Sequence, residues 1–205
     1  YSPQICNYLD RETSGIVVLS RNKEAHRMLA RMFMRRVTPN NVYWGFVVGR
    51  PTADYGRIRM HCEVRKGPGG NTIIARPTPT EKSKVAIAEY VVNANAGEYG
   101  SFVSFYPLTN RTHQMRIMAA HGLRTPLFGD AKFGGESAFP QNLKTFWDPN
   151  DKGLKLHLHH RKIQLPYKNR DGTFVTVTAP MPKYMKETFN KLGWPCEVDD
   201  PLVPG

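Results

Sequence analysis

Lys84-Val85-Ala86-Ile87-Ala88-Glu89-Tyr90-Val91-Val92 puts Val85, Ile87, Glu89 and Val91 on one face and Ala86, Ala88, Tyr90 and Val92 on the other. A period of two is the period of a strand. A second strand-like run, residues 101–106, follows after only a short turn bounded by Gly97 and Gly100. A connection that short joins antiparallel neighbours. Upstream, residues 57–64 and 72–76 flank Gly67-Pro68-Gly69-Gly70, a turn cluster that predicts a hairpin. Residues 42–48 are rich in aromatic and β-branched side chains and predict one more strand. Downstream, residues 154–165 and 174–178 predict two last strands joined across Asp171-Gly172.

Helices punctuate these strands without regular alternation. Ala25, Met28, Leu29, Met32 and Phe33 fall at i, i+3, i+4, i+7 and i+8, with Asn22 as N-cap and Pro39 as the stop. Residues 112–121 predict a short helix with Met115, Met118 and Ala119 on its apolar side. Pro182 opens a terminal amphipathic helix that buries Met185, Phe189 and Leu192. Ile16-Val17-Val18-Leu19 predicts a short buried strand, and residues 122–153 an irregular stretch. Strands with occasional helices, and no strict βαβ order, give an α+β fold with a largely antiparallel mixed sheet and flanking helices.

The chain has 205 residues and a net charge of +12, with 40% hydrophobic and 22% charged residues. That is the balance of a folded domain, and a single domain over residues 1–205 is expected. No apolar run approaches the roughly 18 residues of a membrane helix. Cys6, Cys62 and Cys196 lie too far apart for a metal knuckle or a disulfide framework. The positive excess points to a polyanionic partner, nucleic acid before a membrane surface. Lys23, Arg27, Arg31 and Arg35 recur every four residues, and like charges at that spacing repel. The stripe is either a solvated helix face or a ridge that tracks phosphates.

Three residues stand out chemically. Asp10 lies in a polar loop before the apolar run at 16–19, as a turn cap or as a working carboxylate. Tyr43 is either a cross-strand packing residue or a ring offered to a ligand. Arg116, within the 112–121 helix, turns inward only for a carboxylate. His157 and His159 share a strand face, yet no cysteine or carboxylate supports a metal site beside them with His113 or His121. No phosphate-binding glycine loop or hydrolase elbow occurs.

These pieces together resemble the RluA-type pseudouridine synthases. Leu9-Asp10-Arg11-Glu12-Thr13-Ser14-Gly15 resembles that family's His-Arg-Leu-Asp-x-x-Thr-Ser-Gly signature. Tyr43 with Val47 and Gly49 resembles its tyrosine strand. Asn110-Arg111-Thr112-His113-Gln114-Met115-Arg116, continuing to Gly129-Asp130, resembles its Gly-Arg-Thr-His-Gln-Ile-Arg…Gly-Asp segment. Leu156-His157-Leu158-His159 with Leu165-Pro166 resembles its closing strand. The stretch from Asp130 through Ala179-Pro180-Met181-Pro182 to Trp194 is most similar to alphaproteobacterial members and suggests a mitochondrial descendant.

The resemblance implies a pseudouridine synthase catalytic domain with a central RNA-binding cleft, isomerising uridine in structured RNA, ribosomal RNA first. It implies Asp10, Tyr43 and Arg116 as catalytic residues, with Arg116 keeping Asp10 ionised. Tyr8, Arg11, Lys23, Arg27, Arg31, Arg35, Arg111 and His113 would contact RNA. No metal or organic cofactor is needed. Ribosomal or assembly proteins are the expected protein partners, with no membrane. The departures are Asn7-Tyr8 for the family's His-Arg, Asn41 for the lysine two places before the tyrosine, and Asn110 for a glycine. The Lys-Pro-x-Gly strand that leads into the signature does not occur, so the domain is expected to lack that segment. A catalytically inactive RNA-binding assembly factor on the same fold is the alternative these departures leave open.

Overall fold

The computed structural model describes residues 2–34, 41–67, 70–76, 78–146 and 154–200. Strands β1 (Gln4–Ile5), β2 (Ser14–Gly15) and β3 (Leu19–Ser20) precede helix α1 (Lys23–Met34). Then come β4 (Val42–Val48), β5 (Tyr55–Gly67), β6 (Gly70–Arg76), β7 (Lys84–Asn95) and β8 (Gly100–Pro107). Helix α2 (Gln114–Ile117) runs on into a π-helical turn, Met118–Gly122, and α3 (Ala131–Gly134) follows. Strands β9 (Leu158–Lys168) and β10 (Phe174–Thr178) and helix α4 (Lys183–Leu192) end the described elements. Seven strands line up as β10-β9-β4-β8-β7-β5-β6, and β2 joins β9 as the eighth. Every pairing in this sheet is antiparallel except β2 with β9.

Alternation along the strands sends side chains to two separate cores. On one face Val47, Val103, Phe105, Ala86, Ala88 and Tyr90 pack under Met115, Ile117 and Met118. On the other, Trp44, Phe46 and Phe102 pack under Met185 and Phe189 of α4 and Trp194 beyond it. The alanine face of β7 is therefore the buried one, where small side chains let α2 approach the sheet. Helix α1 starts as expected: the Asn22 side chain accepts a hydrogen bond from the Ala25 amide at 2.8 Å. The hairpin formed by β5 and β6 also matches, and its turn residues 68–69 lie outside the described residues.

Two expectations need correction. The run at 16–19 is not a buried strand: Ile16 is buried, but Val17 is 50% and Leu19 53% exposed. The segment is shared between two short pairings, parallel to β9 at Ser14 and Gly15 and antiparallel to β1 at Leu19 and Ser20. It therefore crosses the edge of the sheet instead of filling a position within it. In α1 only Leu29 of the proposed apolar set is buried, and Met28 is exposed. The helix lies over the edge, touching β3 and β9, and not on a broad core.

Gly15 is where the loop meets the sheet. Its φ is +118°, and an added Cβ would lie 2.3 Å from the His160 carbonyl oxygen. Gly15→Ala is expected to lower stability by at least the ~1–3 kcal/mol of a disallowed backbone conformation. Urea unfolding checks this; a wild-type midpoint would show that the loop moves away freely.

Candidate active site

The Asp10 loop, the start of β4 and the turn into α2 meet around a cleft of about 490 Å³. That volume suits a ligand of nucleotide size. Asn7, Tyr8, Leu9, Asp10 and Thr13 supply one wall, Asn41 and Tyr43 the floor, and residues 109–115 the opposite wall. Phe33 of α1, Pro107 at the end of β8, and Leu158 and His160 of β9 complete the lining.

Each wall is fixed by local chemistry. Asn7, buried, donates to the Ile16 carbonyl at 3.0 Å and accepts from the Val18 amide at 2.6 Å, so it ties both ends of the Asp10 loop. The Thr13 amide closes a turn on the Asp10 carbonyl at 2.9 Å. Opposite, Gln114 donates to the Ile87 carbonyl at 3.0 Å and accepts from the Thr109 hydroxyl at 2.8 Å. Arg111 donates from Nε to the Val85 carbonyl at 3.0 Å. His113 is the residue before α2, with φ of +54°, and it lines the cleft.

Asp10 Oδ1 lies 2.8 Å from His113 Nδ1, an ion-pair distance without hydrogen-bond alignment. Lys132 Nζ lies 3.3 Å from His113 Nε2 on the other side of the ring. The direct Asp10–Arg116 contact expected from sequence is not the one formed. Arg116 is 2% exposed and holds Asp130, 1% exposed, through Nε at 2.9 Å and a second nitrogen at 2.7 Å. Its remaining nitrogen meets Glu12 Oε2 at 2.7 Å. Two carboxylates thus occupy the guanidinium fork, and Asp10 acts on it from farther out. Burial lowers the Arg116 pKa, but Asp130, then Glu12 and Asp10, outweigh it, and the net shift is upward. Arg116 stays charged beneath the Asp10 loop, and through Glu12 it clasps that loop.

Tyr43 faces the cleft from β4, opposite Phe105 on one side and His160 on the other. Burial first, and then the negative Asp10 nearby, push its phenol pKa far up, so it is a neutral hydroxyl at neutral pH. Tyr8 is 92% exposed at the cleft mouth, with its ring in solvent. Arg11 is exposed beside the cleft but outside its lining. Lys23, Arg27 and Arg31 are all exposed along α1, and Arg35 lies outside the described residues.

The histidines of β9 have structural partners. His157 sits between the Lys155 carbonyl at 2.8 Å and the Thr188 hydroxyl at 2.9 Å. His159 meets Ser14 Oγ at 2.9 Å and the Ala179 carbonyl at 3.2 Å. Burial depresses the pKa of both rings, that of His157 to about 4. His160 is likewise lowered to about 4. The unfolded chain therefore binds protons on these rings first. Stability is full above about 6.5 and falls as the pH drops toward 4, at up to ~1.4 kcal/mol per pH unit for each ring. Urea unfolding at stepped pH should show this, with a shallower decline for His157→Gln. Equal slopes would contradict it.

Sequence reading missed Asp130 as the direct partner of Arg116, along with Glu12, Lys132 and the role of His160. Only Asp130 carried a signal, as part of the Gly129-Asp130 pair.

An RNA pseudouridylate synthase family model matches residues 1–121. An uncharacterized RNA pseudouridine synthase of Zymomonas mobilis is 32% identical over 94% of this chain and 77% of its own length. RNA pseudouridine synthase 3, mitochondrial, of rice (Oryza sativa subsp. japonica) is 25% identical over 92% of this chain, which spans about half (52%) of that protein. The structure of human RNA pseudouridylate synthase domain containing 4 matches with a TM-score of 0.71 at 20% identity, over 93% of this chain and 76% of that one. The fold is thus the pseudouridine synthase fold, and the chain belongs to the RNA pseudouridylate synthase family, in its RluA-type branch.

Proposed function

We propose that this chain isomerises uridine to pseudouridine in folded RNA, with Asp10 as the reacting carboxylate, Tyr43 as the platform for the base and Arg116 as the buried cation that holds the site together. The observation that carries the reading is the meeting of Asp10 and Tyr43 in one nucleotide-sized cleft over the Arg116–Asp130 pair. The N1–C1′ bond breaks, the base turns, the C5–C1′ bond forms, C5 gives up its proton and N1 takes one up, so the product is an isomer and no co-reactant is consumed. A carboxylate beside the sugar serves as its nucleophile or takes a sugar proton. A neutral Tyr43 stacks on the base and cannot act as a phenolate. The nucleotide must leave its stack to enter, at a few kcal/mol. Tyr8, at the cleft mouth, takes the vacated stacking place.

The substrate class we propose is ribosomal RNA, in a mitochondrial setting. The charge of +12 supports a large polyanion, and the mitochondrial rice relative supports the compartment. The reading takes the chain as one catalytic domain. Arg11, Arg111 and His113 border the RNA path, and the α1 cations attract its backbone. Replacing Lys23, Arg27 and Arg31 with Gln should reduce the salt slope of RNA binding by about 0.7 per lost contact on single strands. An unchanged slope would make the stripe a solvated face.

The functional test is pseudouridine mapping on total RNA from cells lacking the protein, after incubation with the purified chain. New pseudouridines with the wild type and none with Asp10→Asn support the proposal. Binding of the same RNA with no Asp10-dependent pseudouridine favours the assembly-factor alternative.

A further inference from the structure

His160 has no task in the chemistry above, yet it touches the Asp10 loop, Asn41 and Tyr43 at once. Its ring is 1% exposed and lies flat against Tyr43, with centroids 4.4 Å apart and planes 9° apart. Nδ1 is 3.1 Å from the Ile16 carbonyl, and Nε2 is 2.7 Å from the Asn41 side-chain amide. A carbonyl only accepts, so Nδ1 carries the ring proton. A ring with one proton then presents a lone pair at Nε2. The amide as placed turns its oxygen toward Nε2, and the singly protonated ring requires the opposite assignment, with the NH2 donating.

The contacts of this ring define a frame. The Ile16 carbonyl also accepts from Asn7, and Asn7 holds Val18, so the loop that carries Asp10 hangs from the same point. The backbone of His160 pairs with Gly15 and accepts from the Ile16 amide at 3.2 Å. Asn41 and Tyr43 stand two residues apart on the approach to β4 and on β4 itself. One imidazole therefore binds the Asp10 loop by its edge and Tyr43 by its face. Asn7 and Asn41, two of the chain's departures from the family pattern, both belong to this frame.

We infer that His160 is a positioning residue for the reaction: its face sets the plane of Tyr43, and its Nδ1–H fixes that plane relative to the Asp10 loop. The inference rests on the reading of Asp10 and Tyr43 as the reacting pair. A displacement of about 1 Å at a reacting group can cost about 10²-fold in rate, so a lost frame appears in turnover before it appears in binding.

The test compares His160→Ala, which removes the whole ring, with His160→Phe, which keeps the stack and loses both polar ties. Asn41→Ala removes only the lock on Nε2. The RNA is a transcript spanning a uridine identified by the mapping above, and single-turnover rate, RNA affinity and melting temperature are measured. His160→Ala should slow turnover by about 10²-fold at unchanged RNA affinity, and His160→Phe should recover about tenfold of that loss. Asn41→Ala should slow the wild type but add nothing to His160→Ala. Loss confined to RNA affinity, or a His160→Phe enzyme no better than His160→Ala, overturns the inference. If His160→Ala does not fold, a wild-type rate in both His160→Phe and Asn41→Ala overturns it. Nitrogen NMR of the wild-type imidazoles is independent of activity. An Nδ1–H neutral ring at His160 supports the frame, and an Nε2–H ring or an imidazolium at neutral pH overturns it. A wild type that modifies no RNA sinks the functional reading instead, and the nitrogen spectrum still decides the frame.

Discussion

Asp10→Asn should abolish pseudouridine formation, with a rate loss of about 10⁴-fold or more, the scale seen when a nucleophile or its base is removed from other enzymes. The substitution keeps the shape of the side chain and removes only its charge and one acceptor oxygen. The Asp10 carboxylate is not part of the hydrogen bonds that anchor its loop, which run through the Asn7 side chain and the backbone of Asp10, Thr13, Ile16 and Val18. Folding and RNA affinity should therefore stay near wild type while turnover disappears. Single-turnover kinetics with a parallel binding titration make the comparison. A variant that keeps a tenth of the wild-type rate would remove Asp10 from the chemistry.

The second large effect is on stability. Among the described residues, Asp130→Ala leaves the buried Arg116 guanidinium with only the exposed Glu12 carboxylate as an ion-pair partner. Breaking a buried pair from one side costs about 3–5 kcal/mol, most of it the stranded charge. For a domain of this size that corresponds to a melting temperature lower by about 6–20 °C. The Asp130 side chain also accepts from the Phe133 amide as the N-cap of α3, so part of the loss is a lost cap. Replacing both members, Arg116→Met with Asp130→Leu, should recover much of the stability, because no buried charge is then stranded and Glu12 is left in solvent, while activity stays lost. A double variant as unstable as Asp130→Ala would assign the effect to the α3 cap and not to the ion pair.

Local signals made much of this fold legible. The alternation in β7, the Gly-Pro-Gly-Gly turn between β5 and β6, and the Asn22 cap of α1 are decided by residues within a few positions of one another. The candidate site was legible in a different way. Asp10, Tyr43 and the Arg111–Arg116 block stand out by motif, and they do gather at one cleft and its base. What stayed hidden depends on contacts across the whole chain. Gly15 pairs with His160, 145 positions along, in a parallel pairing within a sheet whose other described pairings are antiparallel, and no periodicity announces it. That pairing pulls residues 16–19 to the edge, where a buried strand was expected.

The partner of Arg116 was hidden for a related reason. Three carboxylates, Asp10, Glu12 and Asp130, lie within reach, and only the orientation of α2 decides which two fill the fork. His160 likewise reads as one of three histidines in a strand until Tyr43 is seen flat against it.

The most direct test of the central claim is a structure of this chain bound to an RNA it modifies, with Asp10→Asn used to hold the complex before reaction. The account predicts the target uridine out of its stack and inside the cleft, its base on the Tyr43 ring. It places the residue-10 side chain about 3–3.5 Å from the sugar, the separation of a group poised to react. Tyr8 should occupy the gap left in the RNA. An RNA seated on another face, with the cleft between Asp10 and Tyr43 empty of any base, would contradict it.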